Sequence, residues 1–597
     1  MADKVADHVL RRLREWKVEH VFGYAGDGIN GLLAAWGRAG TDAPRFVQAR
    51  HEELAAFEAV GYAKFSGRVG VCTATSGPGA IHLLNGLYDG KLDHVPMVAI
   101  VGQTARTAMG GSMQQEVDLH TLFKDVAADY IQEVMTPEQL PNVLDRAMRV
   151  AISRRTVTAI IIPSDLQEEK YSPPTHAFKM VPSSLDFSPG VPVPDEADIR
   201  RAAEILNAGH RVAIMLGQGA RGAAEEVIEV AGVLGAGVSK ALLGKDVLPD
   251  DLPFVTGSNG LLGTRPSYEL MRDCDTLLMV GSSFPYSQFL PEYSQARAVQ
   301  IDIDPTMIGL RYPFEVNLVG DARETLRALL PLLRGRTDRY WLESIEANVR
   351  RWWEVMERRA KVGADPINPQ LVFHELDPLL PDNAMITSDS GSAANWYARH
   401  LRIRRGMRAS LSGNLATMGP GVPYATGAKF AHPDRAVLAL VGDGAMQMNG
   451  INELITVAKY YREWTDPRFV VGVLNNRDLN QVTWELRAMG GSPTFPPSQE
   501  LPDFPYAGYA ESLGLGGIKV TEPGQVRGAW EQALAADRPC VVEFVTDPAV
   551  PPIPPHADLD QMEKTAEALL RGDPEAWDIV KSGVKSKAQE FLPGRGR

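Results

Sequence analysis

The sequence predicts an α/β protein made of three doubly wound, parallel-sheet domains. Three observations predict it. Apolar runs such as GVCTA at 70–74, VAIML at 212–216 and AVLALV at 436–441 show almost no polar alternation, the pattern of strands covered on both faces. Each run is followed by a glycine-bearing turn and then by a stretch with helical spacing, the order of a βαβ unit. Proline-rich stretches at 171–194 and 366–369 divide 597 residues, too many for one core, into three blocks.

The elements follow in chain order. Residues 1–20 read as an amphipathic helix rather than a signal peptide. Residues 20–23 form a strand and turn, 52–66 a helix, 70–74 a strand, and 76–79 (SGPG) a tight turn opening a helix from Ala80. Strands at 97–101 and 158–162 complete a first domain over 1–180. A second domain, 190–335, carries strands at 212–216, 276–280 and 298–303. A charged, tryptophan-rich helix at 338–359 leads into a third domain, 360–548. There a strand at 436–441, a helix at 446–461 and a strand at 469–474 make one βαβ unit. A tail, 549–597, opens with prolines. Trp577, Val580 and Val584 give it a rough helical face among lysines, read as a helix packed on its own protein or as disorder. Such a face attaches only marginally to lipid.

Composition excludes several function classes. A net charge of −13 gives no electrostatic case for nucleic acid. Cys72, Cys274 and Cys540 are isolated, odd in number and without ligand spacing, which suggests a reducing compartment. No apolar run approaches the ~20 residues of a membrane span, so a cytoplasmic protein without a transmembrane segment is expected.

The most informative chemistry lies in the third domain. Gly442-Asp443-Gly444 ends one buried strand, and Asn475-Asn476 ends the next. Both fall at the carboxyl edge of a parallel sheet, where such sheets bind ligands. Asp and Asn oxygens suit a Mg²⁺ that keeps diphosphate oxygens as its other ligands. Gly444 lets backbone approach a phosphate closely. A glycine-rich turn alone would be an ordinary strand-to-helix connection; the paired asparagines make it a signature. It resembles the diphosphate-binding signature of thiamine diphosphate enzymes. The 33 residues from Asp443 to Asn476 (476 − 443) exceed the usual family spacing, and the surplus falls at 461–466, between helix and strand.

Taken with the other motifs over residues 5–550, the chain resembles the acetolactate synthase and pyruvate oxidase superfamily, and within it the bacterial pyruvate oxidases, quinone- or oxygen-linked. The resemblance implies a pyrimidine-binding first domain, a central FAD-binding-like domain and a diphosphate-binding third domain. Arg50-His51-Glu52 matches the motif whose glutamate hydrogen-bonds the aminopyrimidine and activates the cofactor, so Glu52 is implied as catalytic. Ser410 to Gly419 matches the segment that cups the aminopyrimidine, with Ala416 and Thr417 in contact and Met418 as its prop. Pro78 belongs to the turn facing the cofactor, and Gly26-Asp27-Gly28 to the loop near the reacting carbon. Asp443 and Asn476 are the implied Mg²⁺ ligands, with Gly442 and Gly444 on the diphosphate. Gln115 and Glu116 match an active-site segment, Gln115 as a catalytic candidate. Gln114 stands where the family has an aromatic.

The central domain decides between redox and non-redox chemistry. Gly217 to Gly222 follows a buried strand as a nucleotide contact would. Ser258, Asn259, Gly260 and Leu261, then Ser282, Ser283, Phe284, Pro285 and Tyr286, resemble flavin-contacting loops, and Asp302 matches the position for adenosine-side hydroxyls. The implied activity is oxidative decarboxylation of a 2-keto acid, pyruvate first, with thiamine diphosphate, Mg²⁺ and FAD, and with electrons leaving for oxygen or a quinone. A carboligase like acetolactate synthase, its flavin structural or absent, is the alternative. A non-catalytic relative is the third reading. A homodimer or homotetramer is implied.

Overall fold

The computed structural model describes residues 3–171, 173, 184–185, 187, 189–552, 559–571 and 573. The helical reading of 576–592, and most of the 171–194 linker, lie outside these residues.

Three parallel, six-stranded sheets form the frame. The first holds β1 (His20–Gly23), β2 (Arg45–Gln48), β3 (Gly70–Ala74), β4 (Met97–Gln103), β5 (Ile131–Glu133) and β6 (Val157–Pro163), in the order β2-β1-β3-β4-β6-β5. The second holds β7 (Val212–Leu216), β8 (Gly237–Lys240), β9 (Val255–Ser258), β10 (Thr276–Val280), β11 (Arg297–Asp302) and β12 (Val316–Val319), ordered β12-β11-β10-β7-β8-β9. The third holds β13 (Met385–Ser388), β14 (Arg408–Ser410), β15 (Val437–Gly442), β16 (Phe469–Asn475), β17 (Gly516–Val520) and β18 (Cys540–Val545), ordered β14-β13-β15-β16-β18-β17. Counted from its own first strand, each outer sheet runs 2-1-3-4-6-5. The middle sheet runs 3-2-1-4-5-6, the doubly wound dinucleotide order. The first and third domains therefore share one topology although no sequence repeat relates them.

Every strand read from an apolar run is present. Three of those not read have visible reasons. β5 is three residues long and half-exposed, and β12 alternates buried with exposed. β13 is buried but ends on Thr387 and Ser388; the Thr387 hydroxyl donates to Gly421 O at 2.7 Å. The helix expected over 446–461 is two elements: a π-helical turn, Met446–Gly450, and an α-helix, Ile451–Tyr460. The surplus loop is a short 3₁₀ turn, Tyr461–Glu463, followed by Trp464, which stacks on Phe469. It lies at the amino end of β16, opposite the edge that carries Asn476.

The first and third domains pack through facing helices, Glu52–Ser66 and Gly421–Ala431. A Cβ on Gly61 would sit 2.6 Å from Tyr424 Cα, and one on Gly427 would sit 2.2 Å from Glu58 O. Glycine at both positions is what lets the two backbones touch. The apolar core of this joint draws Phe57, Val60, Val422, Ala425 and Leu454 into one cluster.

Candidate active site

In each sheet the glycine loops meet where the strand order reverses, the crevice in which parallel sheets bind ligands. In the first sheet this is the carboxyl edge of β1 and β3. The loop of Gly26, Asp27 and Gly28 interlocks there with Thr75 and Ser76. Gly28 N donates to Thr75 Oγ1 at 2.9 Å, and a Cβ on Gly26 or Gly28 would strike Thr75 or Ser76. The Ser76 hydroxyl donates to Gln115 Oε1 at 3.3 Å, and Gln115 packs on Gly77.

Glu52 is the first residue of its helix, whose N-cap is His51; Glu53 N donates to His51 Nδ1 at 3.2 Å. The Glu52 carboxylate lies beside the turn that holds Pro78. A Cβ on Gly79 would come within 3.1 Å of Glu52 Oε1, so glycine admits the carboxyl there. Glu52 Oε2 is 3.0 Å from His82 Nδ1.

The second group sits where β13 and β15 diverge. Asp443 is 3% exposed. Its carboxylate accepts from Gly444 N (2.9 Å), Asn476 N (2.9 Å) and Arg477 N (2.6 Å), which ties the end of β15 to the end of β16. Asn476 Oδ1 accepts from Asp478 N at 3.1 Å. A Cβ on Gly444 would meet Leu479 and then Met418 Cε at 3.2 Å, so the proposed prop and the Gly-Asp-Gly turn are neighbours. Gly442 faces open space.

Asp389, at the end of β13, fixes the segment that carries Ala416, Thr417 and Met418. Its buried carboxylate accepts from Ser390 N, Gly419 N and Gly421 N at 2.7–2.9 Å. From the first domain, Asp93 accepts from Gly413 N and Asn414 N, and Asp89 from the Ser412 hydroxyl at 2.6 Å. The Asn85 amide donates to both Glu53 Oε1 and Thr417 Oγ1, a link between the two groups.

Sequence reading missed Asp389, His82 and Asn85. Asp389 carried the same signal as Asp443, a carboxylate just past a buried strand, but its strand was obscured by Thr387 and Ser388. Three non-glycine residues with left-handed backbone mark the same place: Gln115 (φ 63°), Ala416 (φ 51°) and Arg477 (φ 58°). Such strain persists only where surrounding contacts impose it, and it clusters at functional sites.

In the middle sheet, Gly217 and Gly219 press against Gly281 at the β7/β10 divergence; a Cβ on Gly217 would lie 2.1 Å from Gly281 O. Ser258 Oγ and Asn259 Oδ1 are buried without a hydrogen-bond partner. Gly260 has φ 104° and lies against Phe284, which is itself packed in the domain core, while Tyr286 is exposed. The Arg399 guanidinium holds the carbonyls of Leu261 and Gly263. Asp302, at the end of β11, is 9% exposed, and burial pushes its carboxyl above the usual range. Ser282 is buried, Ser283 is half-buried and Pro285 is exposed.

Three family models match the chain in order. The N-terminal TPP binding domain of thiamine pyrophosphate enzymes matches residues 3–122, the central domain residues 199–329, and the C-terminal TPP binding domain residues 389–544. The chain belongs to the thiamine pyrophosphate enzyme family. Among its relatives is a putative thiamine pyrophosphate-containing protein, YdaP, of Bacillus subtilis, 35% identical over 96% of each chain. A pyruvate oxidase of Lactiplantibacillus plantarum is 32% identical over 90% of this chain and 87% of its own. A probable acetolactate synthase large subunit of Methanocaldococcus jannaschii is 31% identical over 92% of this chain and 94% of its own.

The residues fit the cofactor that names the family. Burial raises the Asp443 carboxyl to about 7, against three backbone N–H donors that lower it. No ion pair to Asp443 occurs among the described residues, and a hard divalent cation would complete that carboxylate. The open face at Gly442, beside the start of a helix, suits a diphosphate. In the middle domain the divergent glycine loops, the unpartnered Ser258 and Asn259 oxygens and the terminal Asp302 suit a dinucleotide. Among the described residues no helix is long and apolar enough to cross a membrane.

Proposed function

We propose that this enzyme oxidatively decarboxylates a 2-keto acid, pyruvate first, and passes the electrons through FAD to oxygen or a quinone. The observation that carries the cofactor assignment is the buried Asp443 carboxylate, cross-tied to Asn476 and with no ion pair to a side chain among the described residues. The dinucleotide strand order of the middle sheet, with Asp302 at its edge, supports the oxidase branch. When bound, thiamine diphosphate supplies the carbon nucleophile and the electron sink for loss of CO₂.

The chain's own residues do the rest. Asp443 and Asn476 hold Mg²⁺ and Gly442 and Gly444 admit the diphosphate, while Met418, Thr417 and Ala416 shape the floor under the aminopyrimidine. Glu52 holds a proton at the pyrimidine ring, and Pro78 and Gln115 line the opposite wall. Ser258 to Leu261, Ser282 to Tyr286 and Asp302 contact FAD. The enzyme works in the cytoplasm as a two-fold dimer or a tetramer. Supporting this, exposed apolar side chains flank both half-sites: Tyr24, Ile81 and Met113 on one, and Met448, Val482, Met489 and Phe495 on the other. A partner would cover them.

The second reading is a carboligase, favoured by an identity to an acetolactate synthase nearly equal to that to a pyruvate oxidase. The ultraviolet-visible spectrum of the purified protein separates the two. Flavin bands bleached by pyruvate without oxygen are expected. Unreduced flavin with acetolactate formation would overturn the oxidase reading.

A further inference from the structure

His82 has no place in the chemistry described above, yet it touches the carboxyl at its centre. It ends the short helix Pro78–His82, with Nδ1 3.0 Å from Glu52 Oε2. The Glu52 side chain is 10% exposed and that of His82 is 42% exposed. His51 stacks on the His82 ring, centroids 4.4 Å apart and planes 30° apart, which holds the ring's orientation.

The ligand atoms of His51, Glu52 and His82 all lie within 4.8 Å of one another, close enough to suggest a metal site. The helix cap argues otherwise. His51 Nδ1 accepts from Glu53 N, which leaves its proton on Nε2 and no lone pair for an ion while the cap stands. The trio is a hydrogen-bonded one. His82 is its member with one nitrogen on a buried carboxyl and a ring that reaches water.

We infer that His82 is a positioning residue for Glu52 and the path by which its carboxyl exchanges protons with solvent. The inference rests on the role given to Glu52 under the proposed function. The carboxylic acid gives its proton to Nδ1, and the imidazolium releases the Nε2 proton to water. The reverse sequence reloads it, so charge and protons balance without any further reactant. An imidazole can take a proton on one ring nitrogen and release one from the other, which suits this task.

Two variants separate orientation from transfer. His82→Asn keeps an amide donor where Nδ1 stands but cannot carry a proton; His82→Ala loses both. In holoenzyme, His82→Asn is expected to keep thiamine diphosphate affinity while hydrogen–deuterium exchange at the cofactor C2 slows by about 10²-fold, the low end for a lost acid–base group. Added imidazole is expected to restore exchange in His82→Ala. In the cofactor-free protein labelled with ¹⁵N-histidine, the resonances lost in His82→Asn are expected to shift in Glu52→Gln. Wild-type exchange in His82→Asn, or His82 resonances indifferent to Glu52→Gln, would overturn the inference. If Glu52→Gln slows exchange while His82→Asn does not, the role of Glu52 stands and that of His82 falls. If neither variant slows exchange, both fall.

Discussion

Asp443 and Glu52 are single carboxyls whose surroundings define different tasks. Asp443 receives three backbone N–H bonds, and burial still pushes it up to about 7. No side chain among the described residues supplies a counter-charge to its ionised form, and a divalent cation would do so. Asp443→Ala and Asn476→Ala are each expected to abolish Mg²⁺-dependent thiamine diphosphate binding in calorimetry. Undiminished affinity in both would remove the metal assignment. Glu52 is held at a helix start with His82 as hydrogen-bond partner. Glu52→Gln preserves shape but not proton exchange, and kcat is expected to fall by roughly 10²–10⁴. Steady-state kinetics at saturating cofactor check this.

At the scale of elements, the helix Asn480–Ala488 follows the Asn476 turn and is clamped from the far end of the chain. Arg487 and Asp573 form an ion pair with both side chains fully buried, and Thr494 N also donates to Asp573. Removing one partner of a buried pair costs about 3–5 kcal/mol, because it strands the other charge. Asp573→Ala is therefore expected to raise hydrogen exchange and tryptic cleavage across 480–494 and to weaken thiamine diphosphate binding. Deleting residues 576–597 leaves Asp573 in place and is expected to change none of the three. Equal protection in Asp573→Ala and wild type would show that the clamp is not needed.

For the whole molecule, the decisive feature is the joint between the first and third domains. Glu58 and Glu453 meet there, both 0% exposed, with carboxyl oxygens lacking hydrogen-bond partners of ordinary geometry among the described residues. Burial raises both carboxyls, Glu453 to about 8 and Glu58 well above its usual range, so a protonated pair suits neutral pH. A carboxyl with a raised folded-state pKa costs stability as pH climbs from its ordinary value of 4.5 through the raised one. The slope is at most about 1.4 kcal/mol per pH unit for each proton. Glu453→Gln is expected to flatten the loss of thermal midpoint between pH 6 and 9; parallel curves would count against the pair. The two half-sites lie on one chain, but a two-fold dimer would pair each with its partner's complement. Mixing inactive Glu52→Gln and Asp443→Ala proteins under subunit exchange is then expected to restore about a quarter of wild-type activity. No recovery would place each site within one chain.

Much of this was legible in the sequence, because a buried parallel strand must be apolar throughout and must end in a turn. Runs such as 212–216 and 436–441 therefore announced both the fold and the sheet edges where Asp443 and Asn476 stand. The motifs around Glu52 and Met418 were legible as patterns. What the sequence could not hold was contact between distant residues that no motif links. β5 and β12 were hidden because a short or alternating strand looks like loop until neighbours pair with it. Asp389 was hidden because the three N–H groups that define it come from Ser390, Gly419 and Gly421. The Glu52–His82 contact joins two helix ends 30 residues apart, and the Arg487–Asp573 clamp spans 86. Hydrophobic patterning is written locally and fixes the elements. Long-range hydrogen bonds and buried charge pairs form only once packing excludes water, so tertiary structure alone showed that Asp389, His82 and Asn85 join the site.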